Sequence, residues 1–589
     1  MSRRRGKHKK PSANDQPGNQ VSGGRQELRD APKYPGFSVD TYRGIAILAA
    51  GTLVLKSLIF APISFWPLSF VCLVPWLVMV GAGREARLVY VFSYLLGLLF
   101  FLWNMRWLWY PTGVGYVALS VYLACYFPLA ACPIRHAVRR RCLPLALVAP
   151  LVWVGGEMLR AVVISGFPWF FLAHSPHEVL TLIQVSDLVG AYGLSFVIAA
   201  VNGAAADVIL AILARRRAVR PDANRHPAQF GALFAALLLI ATCVYGHIQL
   251  SADTMGEGPT IAVVQGDFIS KVSGEGLAED EKKRLYFSML DSADAHDPDM
   301  VLLPESAWWM FLNPEKRDLH WLSRDSFAAF QDYATRGNTC VVTGCGAWVD
   351  TPHDLLAKER RYNSAMVFSA DGSEPQRYDK IHLVYFGEIV PFRFGNFRFL
   401  YLWINSLMPF SGPDNDEYSY FPGTEFRTFA MEAPSREGEL YRFSIPICYE
   451  DVMPYVSREF VSGGASAKRC DFLLNISNDG WFGRGIQQPQ HLAICVFRAV
   501  ENRVGIARAV NTGVSAFIKP TGEVHDIVTG DPSTPWPGEC GYSVASVSVD
   551  SRYTLYSRLG DWFGWGCVVL WFLLYVDRCV VRARARANE

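Results

Sequence analysis

The sequence predicts a polytopic α-helical membrane bundle that carries a separate α/β domain. Hydrophobic residues make up 51% of the 589 residues, and the mean hydropathy is positive, which is unusual for a protein that lies wholly in water. Apolar segments of about 20 residues, the length that crosses the hydrocarbon core, fill the first part of the chain. Residues 251–559 instead alternate short apolar runs with polar, helix-like segments, which is typical of a layered α/β architecture.

Residues 1–40 predict a disordered basic tail. They are rich in Lys, Arg, Gly, Ser and Pro and poor in aromatic residues, so folding would bury too little surface to offset the entropy of ordering. No apolar core follows the charges closely, so the tail is not a cleavable signal peptide. The whole chain has a net charge of only +2, which gives no indication of a nucleic-acid partner.

Eight apolar segments predict membrane spans. They lie near residues 41–60, 63–82, 88–105, 113–134, 144–161, 188–213, 230–250 and 560–577. Seven form a bundle over residues 41–250, and the eighth follows the α/β domain and precedes a basic tail at 578–589. Alternate connections are rich in Lys and Arg, whereas those between them carry only Arg106. The positive-inside rule therefore places both termini in the cytoplasm and residues 251–559 outside.

Two features of the span region are unusual for a membrane-spanning segment. Glu157 and Arg160 lie three residues apart and so share a helix face. They predict either a structural ion pair at the membrane edge or a role at a lipid-binding cleft. The aromatic run at residues 165–171 predicts a re-entrant or interfacial segment.

The 13 cysteines show no paired spacing of a zinc site or a small disulfide scaffold. Cys340 and Cys345 are close enough in sequence to pair, although nothing in the sequence requires it. Each cysteine must therefore be judged by the residues around it.

Residues 392–421 form an aromatic-rich insertion with little periodicity. Loops of this length are usually functional or disordered, and Trp, Tyr and Phe favour the bilayer interface. We interpret the insertion as a lid over the site that touches the membrane, with Trp403 as a candidate cleft residue.

Cys448 lies where a predicted buried strand, 441–448, gives way to a helix that begins near residue 453. At such a junction a thiolate lies near the N–H groups of a helix terminus, which suits a nucleophile. Upstream, Glu305 follows one apolar run and Lys380 follows another strand-like run. A cysteine, a glutamate and a lysine at such positions together indicate a catalytic site more strongly than any one of them does alone.

Glu305, Lys380 and Cys448, in that order, resemble the triad of the nitrilase (carbon-nitrogen hydrolase) superfamily. Three longer motifs narrow the resemblance to the apolipoprotein N-acyltransferase family of the bacterial inner membrane. They are residues 380–388 (KIHLVYFGE), 448–451 (CYED) and 475–483 (NISNDGWFG). The preceding spans belong to the same family pattern, so the resemblance covers the chain from about residue 40. It implies a nitrilase-like αββα sandwich for the outer domain.

The resemblance also implies a two-step acyl transfer. Cys448 attacks an ester of a phospholipid, giving a thioester and a lysophospholipid. The α-amine of a lipoprotein's N-terminal diacylglyceryl-cysteine then takes the acyl chain as an amide. Glu305 would act as the base, and Lys380 would stabilise the negative charge of the tetrahedral intermediate. This chemistry requires no metal and no organic cofactor.

Further residues match positions of the family pattern. Glu388 and Glu450 are expected to orient Lys380 or to hold a substrate ammonium group. The backbone N–H of Tyr449 is a candidate second oxyanion donor. Trp481 and Phe482 are candidates for the acyl cleft, although packing in the core is the alternative.

Two other functions remain open at this point. A membrane-tethered nitrilase-type amidase that hydrolyses C–N bonds would use the same triad, because the triad does not distinguish water from an amine. A membrane scaffold with an inactive outer domain is disfavoured, because all three triad residue types are present. The eight spans and the aromatic insertion favour a lipid substrate, since an enzyme acting on small amides needs neither.

Overall fold

The computed structural model describes residues 41–216, 225–268, 279–351, 359–393, 397–406, 419–464, 466–528 and 539–587. The predicted tail at 1–40 lies outside these residues. The helices are α1 (Tyr42–Leu58), α2 (Val74–Ala82), α3 (Ala86–Asn104), α4 (Gly113–Ala124), α5 (Tyr126–Arg141), α6 (Leu145–Val162), α7 (Leu180–Ile183), α8 (Ser186–Val189), α9 (Ala191–Arg216), α10 (Arg225–Leu250), α11 (Glu279–Ala293), α12 (Trp321–Gly337), α13 (Arg398–Asn405), α14 (Pro454–Val461), α15 (Gln487–Asn502), α16 (Leu555–Leu559) and α17 (Trp562–Ala587).

Within the described residues, six helical segments are long and apolar enough to cross a membrane. They are Ala86–Asn104, Gly113–Arg141, Leu145–Val162, Ala191–Ala214, Ala228–Leu250 and Trp562–Arg586. The first two of the eight predicted spans are not among these six segments. The first, α1, has 17 residues, and the second is divided into a 3-10 turn at Trp66–Phe70 and the nine-residue α2. Pro67 and Pro75 stand at the starts of these two pieces, where the missing N–H is tolerated, and each breaks a continuous helix.

The strands form two sheets. They are β1 (Met255–Gln265), β2 (Met300–Leu302), β3 (Trp308–Phe311), β4 (Cys340–Asp350), β5 (Glu359–Phe368), β6 (Gln376–Asp379), β7 (Phe429–Ala433), β8 (Glu439–Ser444), β9 (Phe472–Ser477), β10 (Gly505–Val510), β11 (Ala516–Ile518), β12 (Val524–His525) and β13 (Gly541–Asp550). The first sheet has the order β13-β1-β2-β4-β5-β6, with β3 beside β4, and the second has the order β12-β11-β10-β9-β8-β7. Parallel pairing joins β1 to β2, β2 to β4, β8 to β9 and β9 to β10.

The two sheets lie face to face, and helices cover their outer sides. Along β1, Ile261 and Val263 belong to the inner core, whereas Ala262 and Val264 pack with α11 in a second core. On the facing sheet, a Cβ added to Gly505 would lie 2.0 Å from the carbonyl oxygen of Ser548, so the two backbones are in close contact. Arg508, on the same strand, points to the other side of this sheet, where it contacts Cys495 of α15. The predicted α/β domain is confirmed, with its layers in the order α-β-β-α.

Cys340 and Cys345 are both buried free thiols. They lie five residues apart on β4, and an odd separation on a strand places side chains on opposite faces. Cys340 belongs to the inner core and Cys345 to the outer one, so the fold keeps them apart.

Buried charges join the α/β domain to the apolar helices. The guanidinium of Arg503, at the end of α15, donates from Nη2 to Asp187 Oδ2 at 2.6 Å and from Nη1 to Gln184 Oε1 at 2.6 Å. Beside it, the backbone N–H of Ala191 donates to Glu501 Oε1 at 2.9 Å. These contacts fix the position of the end of α15 relative to the start of α9.

Asp187→Asn should lower the free energy of unfolding by about 3 kcal/mol, because Arg503 is fully buried and would lose its counter-charge. The matched control is Asp332→Asn, which removes the partner of Arg336 from an exposed pair and should change stability by less than about 1 kcal/mol. Unfolding of the full chain in detergent measures both. Equal losses would show that the Arg503 pair does not hold the two regions together.

Candidate active site

Glu305, Lys380 and Cys448 each follow the carboxyl end of a strand. Glu305 comes after β2, and its loop is held by the N–H of Gly344, which donates to the carbonyl of Pro304 at 3.2 Å. Lys380 follows β6, and its own N–H donates to the carbonyl of Asn363 at 2.8 Å. β2 and β6 belong to one sheet and β8 to the sheet that faces it. The loops that follow these three strands bring Glu305 into contact with both Lys380 and Cys448.

Lys380 is buried between two carboxylates. Its Nζ donates to Glu305 Oε1 at 3.3 Å and to Glu388 Oε1 at 2.8 Å. The amide Nδ2 of Asn363 donates to the same two oxygens, each at 2.7 Å. The second oxygen of Glu388 accepts from the N–H of Val384 at 2.8 Å. Glu388 therefore contacts Lys380 directly, and its role in orienting that ammonium group stays a prediction.

Cys448 opens a short 3-10 turn rather than ending a strand. The predicted strand 441–448 is shorter, because β8 ends at Ser444 and Pro446 has no N–H to continue the ladder. Cys448 has a φ of 52°, in the left-handed region that costs a non-glycine residue energy. The surroundings must therefore hold this turn in place.

Hydrogen bonds to the Glu450 carboxylate stabilise the Cys448 turn. Its Oε2 accepts from the N–H of Ile447 at 2.8 Å, beside the nucleophile. Its Oε1 accepts from Tyr378 Oη at 2.8 Å and from the N–H groups of Ile381 and His382 at 2.8 and 3.0 Å. One buried carboxylate thus joins the Cys448 turn to the loop that follows Lys380.

The charges in the site are strongly coupled. Burial raises the pKa of Glu305, and the Lys380 ammonium opposes that rise. Burial alone would lower the pKa of Lys380, but the Glu305 and Glu388 carboxylates outweigh it and raise that pKa well above its ordinary value. Burial and the charge of Glu305 also raise the pKa of the Cys448 thiol. The resting site therefore holds an ammonium and a protonated thiol next to a carboxyl group that interacts with that thiol.

The segment at 165–171 reaches the site from the apolar helices. Tyr449 donates from its hydroxyl to the carbonyl of Gly166 at 3.2 Å, and its ring stacks on that of His382 with centroids 5.9 Å apart. His382 also hydrogen-bonds Tyr455 Oη through Nδ1 at 2.8 Å, and burial lowers its pKa to about 4. His382 is therefore neutral and held by a hydrogen bond beside the site.

The three candidate cleft residues lie in two places. Trp481 and Phe482 belong to a 3-10 turn after β9, and Phe482 contacts the ring of Trp107, from the connection after α3, with centroids 4.9 Å apart. Trp403 lies on α13, which exposes Phe399, Leu402 and Trp403 together. Residues 394–396 and 407–418 of the predicted lid lie outside the described residues.

Glu157 and Arg160 are both buried and make different contacts. Glu157 Oε1 accepts from Trp153 Nε1 and from the N–H of Leu172, both at 2.9 Å. The guanidinium of Arg160 lies over the rings of Phe101 and Phe171, 5.7 and 5.5 Å from their centroids. Arg160 therefore contacts the 165–171 segment through Phe171, and Glu157 contacts Leu172, the residue that follows this segment.

Sequence reasoning missed Asn363, which bridges Glu305 and Glu388. The signal was present, because Asn363 is a polar residue in the middle of a strand that ends in the apolar run 365–368. Its role depends on the pairing of β5 with β6, which sets Ser364 opposite Asp379 and brings Asn363 beside Lys380.

Comparison with known families agrees with the two regions of the fold. Residues 52–204 match the apolipoprotein N-acyltransferase N-terminal domain, and residues 261–533 match the carbon-nitrogen hydrolase family. The protein is thus of the class in which a carbon-nitrogen hydrolase domain is joined to apolar helices.

Curated relatives match nearly the whole chain. The apolipoprotein N-acyltransferase of Geobacter metallireducens is 30% identical over 537 residues, which cover 89% of this chain and 93% of that protein. The enzyme of the same name from Bradyrhizobium diazoefficiens is 29% identical over 571 residues, which cover 92% and 96%. The chain belongs to the apolipoprotein N-acyltransferase family.

Among solved structures, a CN-hydrolase superfamily protein from Xanthomonas campestris is 18% identical, with a TM-score of 0.33. The match covers 50% of this chain and 91% of that one.

Gly344→Ala should displace the Glu305 loop, because an added Cβ would lie 2.6 Å from the Cα of Glu305 and 2.6 Å from the carbonyl oxygen of Pro304. A misplacement of about 1 Å in a reacting group can lower turnover about 100-fold, and a loss of that order in acyl transfer is expected. The control on the same strand is Gly346→Ala, whose Cβ would meet only the side chain of Phe311. Unfolding temperatures of both variants separate misplacement from instability. Similar activities in the two variants would show that acyl transfer does not depend on the position of Glu305.

Proposed function

We propose that the protein transfers an acyl chain from a phospholipid to the α-amino group of a lipoprotein's N-terminal diacylglyceryl-cysteine, through a thioester on Cys448. Family membership supports the acyltransferase class and a membrane setting. The observation that carries the proposal is the convergence of Cys448, Glu305 and Lys380, with Lys380 Nζ 3.3 Å from Glu305 Oε1. A base, a fixed cation and a thiol at one point are what acyl transfer through sulfur needs.

In the first step, Glu305 takes the proton of the Cys448 thiol as the sulfur attacks the ester carbonyl carbon of the phospholipid. The carbonyl oxygen gains the negative charge, and Lys380 stabilises it together with the backbone N–H of Tyr449. When the tetrahedral intermediate collapses, the C–O bond breaks and Glu305 returns the proton to the leaving alcohol. The products are a thioester and a lysophospholipid.

In the second step, the neutral α-amine of the lipoprotein attacks the thioester carbonyl carbon, and Glu305 accepts a proton from the nitrogen. The C–S bond then breaks, an amide forms, and the proton returns to the sulfur of Cys448. An α-amine has a pKa near 8, so an adequate fraction is neutral at neutral pH. Glu388 and Glu450 act through position, because the first holds Lys380 and the second holds the Cys448 turn.

The proposed membrane arrangement has eight spans, 41–250 holding seven and 560–577 the eighth, in the bacterial inner membrane. Both termini, including the tails at 1–40 and 578–589, lie in the cytoplasm, and the catalytic domain at 251–559 lies on the outer side. The distribution of Lys and Arg supports this orientation, and the six long apolar helices support multiple crossings. Both substrates are anchored in lipid, so a site held at the membrane surface avoids extracting either one.

The acyl chain is proposed to enter beside Trp481 and Phe482, since Phe482 contacts Trp107 at the junction with the apolar helices. α13, with Phe399 and Trp403 exposed on it, is proposed to rest on the bilayer as part of a lid. Exposed aromatic residues at such a position suit the membrane interface.

The decisive assay supplies the full-length protein in detergent with a radiolabelled-acyl phospholipid and a synthetic diacylglyceryl-cysteine lipopeptide. The expected product is a lipopeptide with a third, amide-linked chain. A lipopeptide whose α-amine is already acetylated is the control, and it should accept no label. Release of labelled fatty acid to water in place of amide formation would contradict acyl transfer and favour a hydrolase.

A further inference from the structure

Four charged side chains lie buried beneath the Cys448 turn. Asp451, Asp479, His491 and Arg508 are each 2% exposed or less. They come from the turn itself, from the segment after β9, from α15 and from β10. The acyl-transfer mechanism described above assigns no role to any of them.

The contacts of His491 define its charge. Its Nε2 lies 2.7 Å from Asp451 Oδ1, and its Nδ1 lies 2.9 Å from Asp479 Oδ1. Ionised carboxylates only accept hydrogen bonds, so both ring nitrogens must donate, and a ring with two N–H groups is an imidazolium. Burial lowers the pKa of His491, but the two carboxylates outweigh it and raise that pKa to about 9.

Arg508 is the second cation of this network and brings the net charge of the four side chains to zero. Its Nη1 donates to Asp451 Oδ2 and to Asn475 Oδ1, and its Nη2 lies 3.9 Å from Asp479 Oδ2. Two cations then balance two anions in a region that excludes water. Loss of either cation would leave an excess negative charge there, which is costly in a buried region.

This charge network touches the nucleophile in two ways. The N–H of Asp451 donates to the carbonyl of Cys448 at 3.1 Å, which closes the strained turn. Asp479 Oδ1 lies 3.4 Å from Ser477 Oγ, and the Ser477 hydroxyl in turn hydrogen-bonds the Cys448 thiol. Within the described residues, Asp479 Oδ2 has no hydrogen-bond partner, so its charge is compensated mainly by His491 and Arg508.

We propose that His491 is a positioning residue for the nucleophile, a permanent cation that offsets Asp451 and Asp479 so that the thiolate of Cys448 forms without excess negative charge behind it. The proposal rests on the role of Cys448 given under the proposed function. His491 acts through the carboxylates and not on the substrate, because it is buried and its ring lies against that of Trp169, with centroids 5.6 Å apart.

Other groups also face this network, among them the uncharged amide of Gln487, whose Nε2 lies 3.4 Å from His491 Nδ1. Glu305 and Lys380 lie on the far side of Cys448, where the first disfavours the thiolate and the second favours it. The thiol of Cys495, one turn along α15, hydrogen-bonds Asp451. Trp169, from the 165–171 segment, is uncharged. Removing the charge of His491 therefore makes the potential at Cys448 more negative and raises the pKa of its thiol, whereas removing the charge of Asp479 lowers it.

The test measures alkylation of Cys448 by iodoacetamide in the full-length protein, followed by mass spectrometry of the Cys448 peptide across a range of pH. Below the thiol pKa the rate is proportional to the thiolate fraction, so a pKa rise of one unit slows alkylation about 10-fold at fixed pH. A change of about one unit is what one charge produces at ~10 Å with an effective dielectric constant of ~20. His491→Gln should therefore slow alkylation about 10-fold, and Asp479→Asn should speed it by a similar factor.

The double variant, His491→Gln with Asp479→Asn, restores charge balance and should return the rate toward that of the wild type. Exposed Cys540 serves as an internal reference, and His525→Gln, which removes another histidine paired with a carboxylate, is the matched control and should change nothing. Opposite effects of the two single variants support the proposal. Equal effects in one direction, or unchanged alkylation with only a lower unfolding temperature, would overturn it.

If His491→Gln does not fold, Asp479→Asn decides alone, because an amide oxygen still accepts from His491 Nδ1 and preserves the geometry. Failure to speed alkylation would then overturn the proposal. Alkylation is independent of the acyl donor and acceptor, so this result stands apart from the lipopeptide assay. Failure of that assay with the expected alkylation pattern would refute only the proposed function.

Discussion

The structure of the site depends on one buried ammonium group. Lys380 is 1% exposed, and a cation so far from water is stable only when opposite charges and hydrogen-bond acceptors surround it. Glu305 and Glu388 supply both charges, and Asn363 bridges the two carboxylates. This requirement fixes the Glu305 loop, the Lys380 loop and the end of β5 relative to one another. Burial, together with the charge of Glu305, raises the pKa of the Cys448 thiol and so keeps it protonated until a carbonyl carbon is in place.

A second constraint joins this site to the apolar helices. Gln490 Oε1 accepts from the indole N–H groups of Trp107 and Trp169 at 3.3 and 3.0 Å, and its amide donates to the carbonyl of Ala61 at 3.4 Å. One residue of α15 thus contacts three connections between apolar segments. Since His491 is the next residue, the helix that docks on the membrane region also carries the charge network behind the nucleophile. In the proposed function, this fixes the distance between the thiol and the lipid surface.

The sequence predicted the parts of this arrangement that local patterns encode. Glu305 and Lys380 each follow a strand, and Cys448 follows a strand and a short turn, so polar residues after apolar runs were visible without the fold. The span predicted at 63–82 stays a prediction, because composition alone does not show that Pro67 and Pro75 divide this segment into two shorter pieces. Asn363 and the His491 network depend on strand register and on distant contacts, such as His491 with Asp451 and Asn363 with Glu305, which lie 40 and 58 positions apart, and no local pattern records them.

The most direct measurement of the central claim is the identification of the acylated atom. The purified protein is incubated with a labelled-acyl phospholipid and no acceptor, and the peptides are analysed by mass spectrometry before and after hydroxylamine, which cleaves thioesters. The account predicts one hydroxylamine-labile acyl group, on Cys448, and its loss in Cys448→Ala protein that is otherwise folded. A labile acyl group on another residue of Cys448→Ala, with product still formed, would contradict the assignment of the nucleophile.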